Sequence, residues 1–258
     1  MEAEPFLTAM QGSTLLIGAA VCFVAGVIGG LSGFGTGMLV AIVITPLVGP
    51  KALIPLMAVV MIVNNASRVW FFRRGLQWRA AAVMLATAIP GALLGVQIYQ
   101  QMNASALQIL IGLVIAVSIP LKYWLRAQPT PSGWLTLNLF GFVYGALSSV
   151  VLGAGLLVLP ALMGFGLAGP ALIATDALIT VGVNIAKAIF FQQLDALTWG
   201  IGVFGICAGL ATVPGVALAS RLSERLGVRI QTRLVEVLVV IGGLHMSYSG
   251  WLSHLKAI

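Results

Sequence analysis

Charge is what this sequence has least of: of 258 residues, only 7% are Asp, Glu, Lys or Arg, against about 25% in soluble globular domains. A water-exposed globule and a disordered chain are both excluded by that deficit, since each needs charged surface. Cysteine is nearly absent too. Cys22 and Cys207 lie far apart, each inside an apolar run; two are too few for a disulfide framework or a Cys-based metal site, and both read as packing residues. An Asp-rich metal motif is missing, which removes metal-dependent prenyl transfer, and there is no ATP-binding loop. No metal and no cofactor are therefore expected.

What is abundant is apolar: 60% of the residues are hydrophobic and the mean hydropathy is +1.10. The fold class that follows is all-α, a polytopic membrane protein with one transmembrane domain over 1–258. Thirteen basic residues against six acidic ones give a net charge of +7. They form no patch for nucleic acid, because they sit in the short breaks between apolar runs, where the positive-inside rule accounts for them. The lipid bilayer is the expected surround. The start Met1-Glu2-Ala3-Glu4-Pro5 is acidic where a secretory signal would be basic, so the first apolar run is expected to be a retained span. Both termini are expected on the non-cytoplasmic side.

Apolar runs bounded by charge, Pro or Gly mark ten segments, at 14–33, 35–48, 52–72, 80–99, 104–121, 134–151, 153–167, 170–191, 197–219 and 231–251. Residues 14–48 as one helix would measure about 52 Å, against a hydrocarbon core of about 30 Å. The run must break, and Gly33-Phe34-Gly35-Thr36-Gly37 is where it can. The same problem recurs at 134–167, with Gly153-Ala154-Gly155 at the break. Each short segment after a break either crosses or re-enters.

The recurrence points to an internal repeat at an offset of about 118 residues. Gly35-Thr36-Gly37 falls on Gly153-Ala154-Gly155, Asn65 and Arg68 fall on Asn184 and Lys187, and Pro90-Gly91 falls on Pro214-Gly215. Repeat one covers 14–121 and repeat two 134–251. Arg73, Arg74, Arg79, Lys122, Arg126, Arg221, Arg225, Arg229 and Arg233 should be cytoplasmic, whereas 100–103 and 192–196 carry no Lys or Arg. The basic loop comes before the fourth segment in one half and after it in the other. The expectation is two five-segment halves, eight to ten membrane segments in all, inverted relative to each other.

Inverted halves with broken helices are the architecture of secondary transporters. A helix that starts inside the membrane presents unpaired N–H groups and the positive end of its dipole, and both favour an anion. The expected substrate-binding residues are Gly35, Thr36, Gly37, Asn65, Arg68, Gly153, Ala154, Gly155, Asn184 and Lys187. The competing reading of the glycines is tight helix packing. Arg68 and Lys187 either stand one in each vestibule or snorkel to the interface, and the two asparagines either serve the site or bond between helices. Asp176, an acid well inside an apolar run, is the candidate for proton coupling; pairing with Lys187 or a hydroxyl is the alternative. His245 reads as a packed polar residue before a proton relay. A non-enzyme is expected. Gly30-Leu31-Ser32-Gly33 with His245 suggests a rhomboid-like serine protease, but such four-residue patterns are frequent among 31 glycines, and a dyad would not explain the duplication.

The run from Gly26 through Gly33-Phe34-Gly35-Thr36-Gly37-Met38-Leu39, the stretch Phe72 to Arg79, and Ile89-Pro90-Gly91-Ala92 resemble the sulfite exporter TauE/SafE family. The second half agrees through Gly153 to Pro160 and Pro214-Gly215, so the resemblance covers nearly the whole chain. It implies a bacterial inner-membrane carrier of small sulfur-containing or organic anions, such as sulfite, sulfonates or sulfoacetate, often outward. Thr36 and Ala154 depart from the middle Gly common there. Ile42 stands where the first repeat commonly has Pro, while Pro160 is kept. The function expected is alternating-access transport of a small anionic substrate; an anion channel is the runner-up. Nothing in the sequence decides for or against a homo-oligomer.

Overall fold

The computed structural model describes residues 12–32, 36–127, 133–222 and 229–255. They form ten α-helices: α1 (Gly12–Ser32), α2 (Thr36–Val48), α3 (Pro50–Phe72), α4 (Trp78–Gln101), α5 (Ala104–Ala127), α6 (Trp134–Ser148), α7 (Val158–Gly164), α8 (Gly169–Gln193), α9 (Trp199–Leu222) and α10 (Arg229–Leu255). Two 3₁₀ turns, Arg73–Gly75 and Ala154–Leu157, complete the described elements, and no strand occurs among them. By length and composition five stretches can cross a membrane: Pro50–Gly75, Trp78–Gln101, Ala104–Leu121, Gly169–Gln193 and Trp199–Leu222. Gly18–Gly30, Thr36–Thr45, Trp134–Ser148 and Ala154–Gly164 are shorter apolar helices. The chain is a polytopic all-α membrane protein.

Both over-long runs break where length requires. α1 stops at Ser32 and α2 starts at Thr36; α6 stops at Ser148 and helix resumes at Ala154. The two restarts differ: residues 154–157 wind as 3₁₀ before α-helix begins at Val158, with Pro160 in its first turn, whereas α2 is one uninterrupted helix of 13 residues from Thr36.

Packing joins distant parts of the chain. α1 lies along α9, α6 along α4, α3 along α8 and α5 along α10, with further contact of α3 with α9 and of α4 with α8. Without a hydrophobic drive between helices in lipid, close approach depends on small residues. A Cβ on Gly26 would run into the Thr212 carbonyl and one on Gly215 into that of Phe23; a Cβ on Gly145 would run into the Ala88 carbonyl and one on Gly91 into that of Phe142. The two Pro-Gly motifs thus hold two helix crossings of the same kind, α1 on α9 and α4 on α6. Glycine packing is the right reading of these four positions.

All six tryptophans lie on exposed positions: Trp70, Trp78, Trp124, Trp134, Trp199 and Trp251. Such amphipathic rings belong at membrane interfaces. Arg73 adds a cation–π contact, with its guanidinium carbon 4.2 Å from the Trp70 ring centroid. Cys22 is buried in the core and Cys207 is exposed; both are free thiols.

Candidate functional site

On α3, Met57, Met61, Asn65 and Arg68 recur at i, i+4, i+8 and i+11, which puts them on one face. On α8, Asp176, Thr180, Asn184 and Lys187 recur at the same spacing. These two faces, together with the starts of the helices after each break, enclose a cavity of about 110 Å³. Thr36, Gly37 and Met38 line it from α2, Asn64 from α3, Tyr144 and Ser148 from α6, and residues 151–155 from the second break. Its volume is several times the space one water needs and well below the ~300–1,000 Å³ of drug-sized ligand pockets. An ion of a few heavy atoms is the size of guest it suits.

Three charged side chains face this cavity: Arg68 is 5% exposed, Asp176 4% and Lys187 4%. Arg68 Nη2 lies 3.3 Å from Asp176 Oδ2, an ion pair that ties α3 to α8. Arg68 Nη1 donates to Asn65 Oδ1 at 2.7 Å. Lys187 Nζ donates to the Ser148 carbonyl at 2.6 Å. That carbonyl is at the C-terminus of α6, where helix ends leave acceptors without intrahelical donors and where a cation is favoured. An ammonium has three N–H donors, so this bond engages one of them.

Neither cation is exposed, and both line one cavity. The acid's partner is Arg68 and not Lys187. The asparagines also differ from the interhelical alternative: Asn65 Nδ2 donates to the Met61 carbonyl at 2.9 Å and Asn184 Nδ2 to the Thr180 carbonyl at 2.8 Å, each one turn back on its own helix. The interhelical bond comes from Asn64, whose Nδ2 donates to Thr212 Oγ1 at 2.9 Å and joins α3 to α9.

Glycines around the cavity have different neighbours from those at the helix crossings. Gly153 has φ +98°, a left-handed conformation that L side chains rarely adopt, and a Cβ there would meet the Met38 methyl. A Cβ on Gly155 would meet nothing within 4 Å, and one on Gly37 would make ordinary contact with Met61, at 3.5 Å from Sδ. Packing therefore explains Gly153 in part and Gly155 not at all. The Thr36 hydroxyl donates to the Ala25 carbonyl at 3.1 Å, which fastens the start of α2 to α1.

Of the eleven residues expected at the site, Thr36, Gly37, Asn65, Arg68, Gly153, Ala154, Gly155, Asp176, Asn184 and Lys187 line this one cavity. Gly35 lies outside the described residues, as does the Ser32 side chain. His245 is exposed on α10 and does not line the cavity. The sequence reading missed Met38, Met57, Met61, Asn64, Tyr144, Ser148, Val151, Leu152 and Thr180. Met57, Met61 and Thr180 were open to discovery, since they continue the helical spacing of Asn65–Arg68 and Asn184–Lys187 backwards. Tyr144 and Ser148 carry no such signal. Tyr144 reaches the site through its hydroxyl, 3.3 Å from Thr180 Oγ1. No group of three or more His, Cys, Asp or Glu able to hold a metal ion occurs among the described residues.

The chain is thus a many-helix membrane bundle with a small cavity lined by two buried cations and one buried acid, and the family it matches is one of membrane transporters. A model of the family described as Sulfite exporter TauE/SafE matches residues 18–246, and the chain belongs to that family. Comparison with individually curated proteins and with solved structures returns no match.

Proposed function

We propose that this protein is a secondary carrier of small oxyanions, with sulfite, sulfonates and sulfoacetate as the substrate class, working as an exporter in a bacterial inner membrane. The observation that carries the reading is the convergence on one cavity of Arg68, Lys187 and the helix restarts at Thr36 and Ala154. Buried cations and backbone N–H groups at a helix start both attract negative charge. Thr36, Asn65 and Asn184 add hydroxyl and amide groups around the guest. The small cavity favours sulfite and the shortest sulfonates over aryl compounds.

The two halves, 14–121 and 134–251, act as inverted repeats that rock about the cavity to expose it alternately to each side. Supporting this are the matched faces of α3 and α8 and the matched crossings of α1 on α9 and α6 on α4. Both termini then lie outside the cytoplasm, as the basic loops require. Asp176 is the proton-coupling residue: it is the acid among the described lining residues, and protonation would release Arg68 from its ion pair.

Purified protein in proteoliposomes with sulfite outside and an imposed pH gradient tests this. The expected result is accumulation of sulfite above its electrochemical equilibrium, abolished by collapsing the gradient. Uptake that halts at equilibrium would establish a channel, and no sulfite or sulfonate flux of any kind would overturn the substrate class.

A further inference from the structure

The lining positions of α3 and α8 correspond one to one at the repeat offset: Met61 with Thr180, Asn65 with Asn184, and Arg68 with Lys187. The fourth pair breaks the pattern, with Met57 opposite Asp176. Its consequence is electrostatic. Arg68 finds a carboxylate across the cavity at 3.3 Å, but at the place where symmetry would put an acid for Lys187 there is a thioether. Lys187 holds the neutral Ser148 carbonyl instead, and the α6 C-terminus supplies at most about half a unit of opposite charge.

Two buried cations and one buried anion leave one positive charge among the described lining residues. A buried charge lacking a counter-charge is costly, and an ion that supplies the opposite charge relieves that cost. One negative charge balances the cavity, whereas two would leave it with a buried excess of the other sign. Tyr144, the remaining titratable group of the lining, is a phenol bonded to Thr180 and neutral in the ordinary range. Resting on the reading that this cavity holds the transported anion, we propose that it selects singly charged anions over doubly charged ones of the same size, so that within the substrate class hydrogensulfite and short monosulfonates are taken ahead of the sulfite and sulfoacetate dianions, and that Met57 and Asp176 set this charge preference.

Methanesulfonate and sulfate test the proposal, because they are small tetrahedral oxyanions of similar size carrying one and two charges. Binding to the purified full-length protein is measured by calorimetry at constant pH and ionic strength. Wild type should favour methanesulfonate by about tenfold or more. Asp176→Asn should shift the ratio toward sulfate by about tenfold, and Met57→Asp should weaken both ions. A double variant, Met57→Asp with Asp176→Asn, moves the acid from Arg68 to Lys187 and restores the lining charge, so methanesulfonate preference should return even if one single variant fails to fold. Equal or sulfate-favouring binding by wild type, an unchanged ratio in Asp176→Asn, or a double variant that does not regain the methanesulfonate preference, overturns charge selection while leaving an anion site in place. Absence of binding by any anion, sulfite included, overturns this inference and the transport reading together.

Discussion

Gly153 and Gly155 stand two residues apart at the same break, and the structure assigns them opposite sensitivities. At Gly153 the backbone has φ +98°. An alanine held in a left-handed conformation costs about 1–2 kcal/mol, and its methyl would also meet the Met38 methyl, an overpacking cost of about 1–3 kcal/mol. Gly153→Ala should therefore destabilise the fold by roughly 2–5 kcal/mol. At Gly155 the new methyl meets nothing within 4 Å, so Gly155→Ala should stay within about 0.5 kcal/mol of wild type. Gly155→Leu extends a branched side chain toward a cavity of only about 110 Å³ and should abolish sulfite binding while leaving the fold intact. Thermal unfolding in detergent, followed by intrinsic tryptophan fluorescence, reads stability; sulfite uptake by proteoliposomes reads the site. Loss of folded protein in Gly155→Leu, or a fully stable Gly153→Ala, would refute the division between a glycine that permits the turn and a glycine that leaves room for a guest.

Lys187→Gln removes one charged donor, worth about 1.5–3 kcal/mol, so sulfite affinity should fall at least tenfold and depend less on salt. Unchanged affinity would reduce Lys187 to a cap on the Ser148 carbonyl. Gly91→Leu and Gly215→Leu each drive a side chain into a backbone carbonyl of the facing helix, and the yield of monodisperse protein in size-exclusion chromatography should collapse for both; survival of either would show the crossing to be looser than described. Asn64→Leu deletes the α3–α9 hydrogen bond and should cost only about 0.6 kcal/mol, visible as a small fall in melting temperature. Asp176→Ala strips Arg68 of its carboxylate and should destabilise the protein by about 3–5 kcal/mol, measured by the same fluorescence melt; a melt equal to wild type would mean that the ion pair contributes no net stability.

Composition and length alone determined the helical membrane class and the two breaks. A bilayer limits how long an apolar helix runs, and backbone polar groups in lipid leave helices as the answer for runs such as 52–72. Repetition of Gly-x-Gly and of Asn65 with Arg68 pointed to residues that line the cavity, whereas repetition of Pro90 with Gly91 pointed to two helix crossings away from it. Sequence spacing fixes which residues share a face, but not which face of another helix they meet. For that reason the partner of Asp176, the joint burial of Arg68 and Lys187, and the arrival of Tyr144 and Ser148 were decided only by the packing of α3, α6 and α8. The same holds for glycine. In the sequence Gly91, Gly153 and Gly155 are alike; whether a Cβ would strike a carbonyl, a methionine methyl or empty space depends on what the fold brings within 4 Å of each.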